Sequence, residues 1–195
     1  MQSELAFRPN ASATPSQDAS APSDHPRIYV ACLAAYNAGK AHGRWIDATQ
    51  DVDAIAAEVA EMLAASPEPD AEEYAIHDFE NFAGIELDEC DSLATASALA
   101  ALVVEHGELG AELYAREPNL SRALRLLTEA YRGEWSSLAE WAEDHLEQLG
   151  ALAGLGAPFR CYFDFASFGA DAEGSGDIFT VELGDGTVHV FDNHI

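Results

Sequence analysis

The order of periodic segments along this chain predicts an α+β fold. Short apolar runs bracket an amphipathic helix after residue 27, the middle reads as short helices, and a helix followed by strands closes the sequence. With 195 residues and a hydrophobic fraction of 48%, the chain can bury a sizeable core or two or three small ones.

The first strand is Ile28-Tyr-Val-Ala-Cys-Leu33, a continuous apolar run turned by Asn37-Ala-Gly39. A second extended piece, Gly43 to Ala48, carries Trp45 and Ile46. A helix follows from about Asp51 to Ala65: Val52, Ile55, Val59, Met62 and Leu63 share one face, and Glu58 and Glu61 point away. Ser66-Pro-Glu-Pro69 ends it, and Tyr74, Ile76 and Phe79 form a third strand. Helices over 92–106, 108–115 and 120–131 are separated by His106-Gly107 and Pro118-Asn119. They are short and Ala-rich, so packing must hold them.

After Tyr131-Arg-Gly-Glu-Trp135 comes a helix over 137–149, opened by the capping-box pattern Ser137-Leu-Ala-Glu140. Leu138, Trp141, Ala142, His145, Leu146 and Leu149 make one stripe, and Glu140, Glu143, Asp144 and Glu147 the opposite one. Strands are expected around Phe159 to Phe163, Asp177 to Leu183 and Thr187 to Phe191, the last two joined at Gly184-Asp-Gly186. The domain reading is thus an α+β unit over 27–87, a helical unit over 88–130 and a second α+β unit over 131–195. Residues 1–26, rich in Ser, Ala and Pro and without the basic and apolar regions of a signal peptide, read as a disordered extension.

Charge is the strongest clue to function. The chain holds 35 acidic and nine basic residues, for a net charge of −26 and a pI near 4.2. From Trp45 to Ala115 there are 71 residues with 18 carboxylates and neither lysine nor arginine, whereas positions 1 to 44 hold three carboxylates. Uniform adaptation to salt would spread the acid more evenly; a surface kept soluble by charge is the plainer alternative. A same-sign field of this extent attracts a polycation or imitates a polyanion. Direct nucleic-acid binding is excluded, because phosphates are neutralised by Lys and Arg. Carboxylates crowded together are also expected to raise one another's folded pKa and so to stabilise the protein as pH falls from about 8 to 5.

Other chemistry finds little support. The longest uncharged apolar run, 93–104, is about 12 residues, short of a membrane span, so a soluble protein is expected, and the scattered cysteines fit a reducing, cytoplasmic location. Cys32, Cys90 and Cys161 are odd in number and have no CxxC spacing, which suggests neither disulfides nor zinc. Asp47, Thr49, Asp51 and Glu58 imitate an EF-hand loop, but Val52 stands where that loop needs glycine. His77, Asp78 and Glu80 are the nearest to a metal cluster, yet on a strand His77 and Asp78 face opposite ways. No GxSxG, P-loop or dinucleotide fingerprint occurs. The chain is therefore read as a non-enzyme with no catalytic residue, metal or cofactor.

The candidate partner-binding groups are the carboxylates. They are Asp47, Asp51, Asp53, Glu58 and Glu61 in the second extended piece and first helix; Glu72, Glu73, Asp78 and Glu80 around the third strand; Glu86, Asp88, Glu89 and Asp91 after it; Glu105, Glu108 and Glu112 in the middle helices; and Glu140, Glu143, Asp144 and Glu147 in the later helix. A compact chain of this length would span roughly 40 Å, so its net charge of −26 amounts to one negative charge per about 1.6 Å, against one per about 1.7 Å of duplex DNA. The same field without duplex geometry would suit a regulatory or chaperone-like binder of basic proteins. In the last third, Trp135, Leu138, Trp141 and Leu146 offer more apolar surface than so small a unit is expected to bury alone, which predicts a homodimer.

Several ordered segments resemble the ArdA antirestriction proteins: Arg27-Ile-Tyr-Val-Ala-Cys-Leu33 with Tyr36-Asn-Ala-Gly39, His42-Gly-Arg-Trp-Ile-Asp47, Glu72-Glu-Tyr-Ala-Ile-His-Asp-Phe-Glu80, Tyr131-Arg-Gly-Glu-Trp-Ser-Ser-Leu138 with Trp141-Ala-Glu143, Tyr162-Phe-Asp164, and Gly176-Asp-Ile-Phe-Thr-Val-Glu-Leu183. The resemblance implies an elongated protein of three small domains that dimerises through its C-terminal domain and mimics B-form DNA. The implied partner is a type I restriction-modification enzyme, whose DNA-binding groove it occupies. Tyr131 to Glu147 is similar to the family's antirestriction motif and would lie near the dimer contact, with Tyr131, Trp135, Leu138, Trp141 and Leu146 contributing. The extension Met1 to Pro26 departs from the family pattern.

Overall fold

A computed structural model of the chain describes residues 24–194. Its backbone packs as two compact units, 24–81 with Leu87–Ser97, and Phe82–Glu86 with 98–194. Most of the expected N-terminal extension lies outside the described residues; Pro26, at its end, accepts a backbone hydrogen bond from Ala48 N at 3.0 Å.

The first unit is built on β1 (Arg27–Cys32), α1 (Leu33–Asn37), β2 (Gly43–Asp47), α2 (Val52–Ala64) and β3 (Tyr74–Glu80). The sheet runs β2-β1-β3 and is antiparallel throughout. β1 is central, so Ile28, Val30 and Cys32 are fully buried, which is why its sequence is apolar without alternation. The apolar run stops contributing to the sheet at Cys32, and Leu33 opens α1 instead. A register shift opposite Tyr29 and Val30 leaves His77 as the extra residue of a bulge in β3. Asp51 caps α2 by accepting from Ala54 N at 3.0 Å, and Ile55, Val59 and Met62 bury the face turned to β1 and β2.

In the second unit, α3 (Leu93–Arg116), which begins in the first, is bent at Gly107, whose φ of 56° and ψ of −142° lie outside the helical region. The break expected at His106-Gly107 is therefore present: two helical segments meet there at a sharp kink. Asn119 caps α4 (Leu120–Arg125), which passes into a π-helical turn, Leu126–Ala130. Then follow β4 (Tyr131–Trp135), α5 (Leu138–Gln148), α6 (Ala157–Arg160), α7 (Phe165–Ser175), β5 (Ile178–Glu182) and β6 (Val188–Asp192). The antiparallel sheet has the order β4-β6-β5. Alternation along β6 separates two cores. Phe191 faces Val181, Leu113, Ala123, Leu126 and Ala130, whereas Val190 faces Ile178, Trp141 and Ala142.

One expectation is corrected here, and two further elements appear. The run Phe159 to Phe163 is not a strand: Pro158, which has no N–H to donate and a φ suited to a first helical turn, starts the short α6. β4 supplies the third strand instead, although Gly133 makes it a poor strand by composition. Helix α7 has no strong signature in the sequence, because Gly169 and Gly174 lower its propensity.

Those two glycines differ in environment. A Cβ on Gly169 would lie 2.8 Å from Leu138 Cγ and 2.9 Å from the Leu138 carbonyl oxygen, where α7 meets α5, whereas a Cβ on Gly174 would meet nothing within 4 Å. Gly169→Ala is expected to destabilise the protein by about 1 to 3 kcal/mol through overpacking. Gly174→Ala is expected to stabilise it by about 0.5 to 1 kcal/mol through helix propensity. Denaturant melts of the two variants check both signs.

Candidate functional site

None of the twenty candidate carboxylates is buried. Asp47, Glu58, Asp91 and Asp144 are half-buried and the others exposed, as ionised groups must be when no partner repays their desolvation. Their local engagements divide them into two sets.

The first set has work within the fold. Asp47 accepts from Thr49 N at 2.8 Å and from its hydroxyl at 2.7 Å, Asp51 caps α2, and Glu58 accepts from Gln50 Nε2 at 2.8 Å. The segment that imitates a calcium loop is thus a turn leading into a helix start. Arg44 stands 3.7 Å from Glu58 and 3.3 Å from Glu61; Arg27 meets Glu80 at 2.8 Å while lying over the Trp45 ring at 4.9 Å. Asp78 accepts from Phe79 N and Asp91 from Asp88 N, each at 2.8 Å, and Glu105 lies 3.9 Å from His106. His77 packs edge-on against Tyr36 at 4.8 Å between ring centroids, and no group of three metal-ligating side chains occurs among the described residues.

On α5 the capping box forms with a shift of one residue. Ser137 Oγ accepts from Glu140 N at 3.2 Å, but the Glu140 carboxylate reaches past Ser137 to Ser136, accepting from its N at 2.9 Å and its hydroxyl at 2.6 Å. Asp144 accepts from Gln148 at 2.9 Å, and Arg160 of α6 bridges Glu143, at 3.3 Å, and Glu147. The acidic stripe of this helix is therefore partly neutralised by an arginine that no helical spacing could have revealed.

The second set is Asp53, Glu72, Glu73, Glu86, Asp88, Glu89, Glu108 and Glu112. All are exposed and none forms an ion pair with a described residue. Asp53 gains from the N-terminal end of α2, in whose first turn it sits. Glu112 has no such return, and it lies four residues from Glu108 on the helical segment that follows Gly107, so the two repel each other at a cost of a few tenths of a kcal/mol.

The expected dimer residues are placed differently from the way their composition suggests. Trp141 and Leu146 are 4% and 7% exposed, and Trp141 stacks on His145 at 5.0 Å. Tyr131, Trp135 and Leu138 are half-buried, with the Tyr131 hydroxyl 2.9 Å from His189 Nδ1. The protomer buries Trp141 by itself because Phe165, Phe168 and Ala172 of α7 pack on the same cluster beside the sheet. Leu149, Phe159 and Tyr162 of the same unit are 67%, 63% and 84% exposed.

Hydrogen bonding, not crowding, sets the displaced carboxylate pKa values. The Ser136 hydroxyl and N–H hold Glu140 below the usual range, Ser167 N–H and hydroxyl do so for Asp164, and the Ser175 hydroxyl with His194 for Asp177. Thr187 N–H lowers Asp185, and the Arg132 guanidinium lowers Asp192. A folded pKa below the unfolded one means that the native state binds fewer protons. The associated stability is fully present above the unfolded value, about pH 4, and is lost as pH falls through the folded values. These five groups thus run opposite to the expectation from crowding. The melting temperature is expected to drop as pH is lowered below about 4, and Asp164→Asn, which keeps the cap acceptor but not the titration, should shallow the drop in a pH series of thermal melts.

No curated protein matches the chain. The family model described as antirestriction protein (ArdA) matches residues 28–185, which run from the second residue of β1 through β5 and stop short of β6. That match takes in the unpaired carboxylates of the second set and the whole of α5 with its Arg160 bridge. An acidic, antiparallel α+β chain matched over this length belongs to the ArdA family of antirestriction proteins.

Proposed function

We propose that this ArdA-family protein blocks restriction by mimicking B-form DNA, occupying the DNA-binding groove of a type I restriction-modification enzyme with carboxylates in the place of phosphates. The observation that carries this is the set of eight exposed carboxylates without ion-pair partners among the described residues, drawn from a stretch of 71 residues that has no cation of its own. Glu108 and Glu112 are separated by about 6 Å of helical rise, comparable with successive phosphates on one strand. A fold selected for stability alone would place a cation beside them. A basic groove supplies that cation in trans, and long-range attraction speeds the encounter. The protein acts by binding, without a chemical step.

The same proposal gives the three segments 27–87, 88–130 and 131–195 the role of successive domains and has the last of them hold a homodimer. Exposed Leu149, Phe159 and Tyr162 supply the apolar contact that Trp141 and Leu146 do not. Light scattering is expected to give two chains, and Phe159→Ser with Tyr162→Ser to give one; a single chain for the unsubstituted protein would refute the dimer.

A mimic and an enzyme fail differently under mutation. Glu108→Gln or Glu112→Gln alone should weaken inhibition of a purified type I enzyme by about fivefold or less, since one exposed carboxylate contributes about 1 kcal/mol at most. Neutralising Glu72, Glu73, Glu86, Glu89, Glu108 and Glu112 together should reduce it progressively, with binding weakened by salt and competitive with duplex DNA. Inhibition that is non-competitive with DNA would favour a generic binder of basic proteins, and abolition by one of these single changes in a folded protein would sink mimicry.

A further inference from the structure

In the second unit, a cavity of about 630 Å³ lies between α5, α7 and one face of the sheet β4-β6-β5. Its size falls within the range of about 300 to 1,000 Å³ of small-ligand sites. Trp135, Trp141 and Phe168 give it aromatic walls, and Asp144, Asp177 and Asp192 give it three carboxylates against one arginine, Arg132. Anionic ligands are disfavoured by that balance in a chain of net charge −26. His194 and Asp177 face each other at 3.3 Å, and His145 is stacked on Trp141, so both cavity histidines are engaged. Asp144 is the exception among the carboxylates: its only bond is to Gln148 of its own helix, and it faces the cavity without a cation.

We propose that this cavity receives an arginine side chain of a protein partner, the guanidinium lying against the Trp135 indole and donating to the Asp144 carboxylate. A guanidinium is planar and weakly hydrated, stacks on indole and donates in a fork, whereas an ammonium prefers its water. The chain already uses both halves of this chemistry. At the cavity wall the Arg132 guanidinium donates to Asp192, and in the first unit Arg27 lies over Trp45 at 4.9 Å while paired with Glu80. The proposal does not rest on DNA mimicry, and its test needs no restriction enzyme, so either can fail alone.

The probe is N-acetyl-arginine amide, titrated against the full chain carrying Trp45→Phe, so that Trp135 and Trp141 alone report by fluorescence; calorimetry on the unsubstituted chain reads the same binding without that background. A saturable one-to-one change is expected, weaker with N-acetyl-lysine amide and absent with the uncharged N-acetyl-citrulline amide. Asp144→Asn should weaken the arginine probe by about fivefold, the factor for one partly buried charged contact. Glu129→Gln, an equal loss of charge on an exposed residue outside the cavity, should leave it unchanged. The proposal is overturned if the signal does not saturate, if citrulline or lysine amide binds as well as arginine amide, or if Asp144→Asn and Glu129→Gln behave alike.

Discussion

Thirty-five carboxylates against nine cations must repel one another in any compact arrangement of this chain, and the fold is built under that constraint. Its apolar groups are gathered under two small three-stranded sheets, each closed by helices, so that the charges can stay at the surface where water screens them. Cys32, Ile28 and Val30 under one sheet and Val190 and Phe191 under the other are wholly buried, and the single buried polar side chain among the described residues is His189. Carboxylates are kept out of all of these cores.

Five of the eight described lysines and arginines join distant segments. Arg27 ties the start of β1 to the end of β3, Lys40 reaches Glu68, Arg44 of β2 reaches α2, Arg132 of β4 reaches Asp192 of β6, and Arg160 of α6 reaches back to α5. Exposed pairs of this kind contribute at most about 1 kcal/mol each. Their larger effect is on the field: they cancel negative charge near sheet edges and on α5 and leave it uncancelled after β3 and along the second half of α3. What the fold leaves unpaired is then available to a basic partner.

The proposed DNA mimicry would give such an arrangement a use in an ArdA-family protein. An antirestriction protein must engage an enzyme whose natural ligand is a polyanion, and unpaired carboxylates on a firm scaffold lose less entropy on engagement than the same groups on a flexible tail would. The caps of Asp51, Glu140 and Asp164 show acid serving the scaffold itself, because a carboxylate at a helix N-terminus satisfies a backbone N–H and meets the positive end of the helix dipole. Part of the acidity is thus structural and part is left free.

Local rules were enough to read β1, β2, α2, β3, the kink at Gly107, the start of α5 and the β5–β6 hairpin from the sequence, since alternation, helical periodicity, caps and glycine act within a few residues. The sign and the unevenness of the charge, and the segments shared with ArdA, were legible for the same reason. Only the tertiary structure decided that Phe159 to Phe163 forms no strand, that Tyr131 to Trp135 does, and that the weak helix propensity of Phe165 to Ser175 is overridden by packing on α5. It alone decided that Trp141 and Leu146 belong to the protomer's own core, and which carboxylates are neutralised. Arg160 meets Glu143 and Glu147 across 17 and 13 intervening steps of chain, and Arg27 meets Glu80 across 53. Such pairings follow from how elements pack, and no spacing in the sequence encodes them.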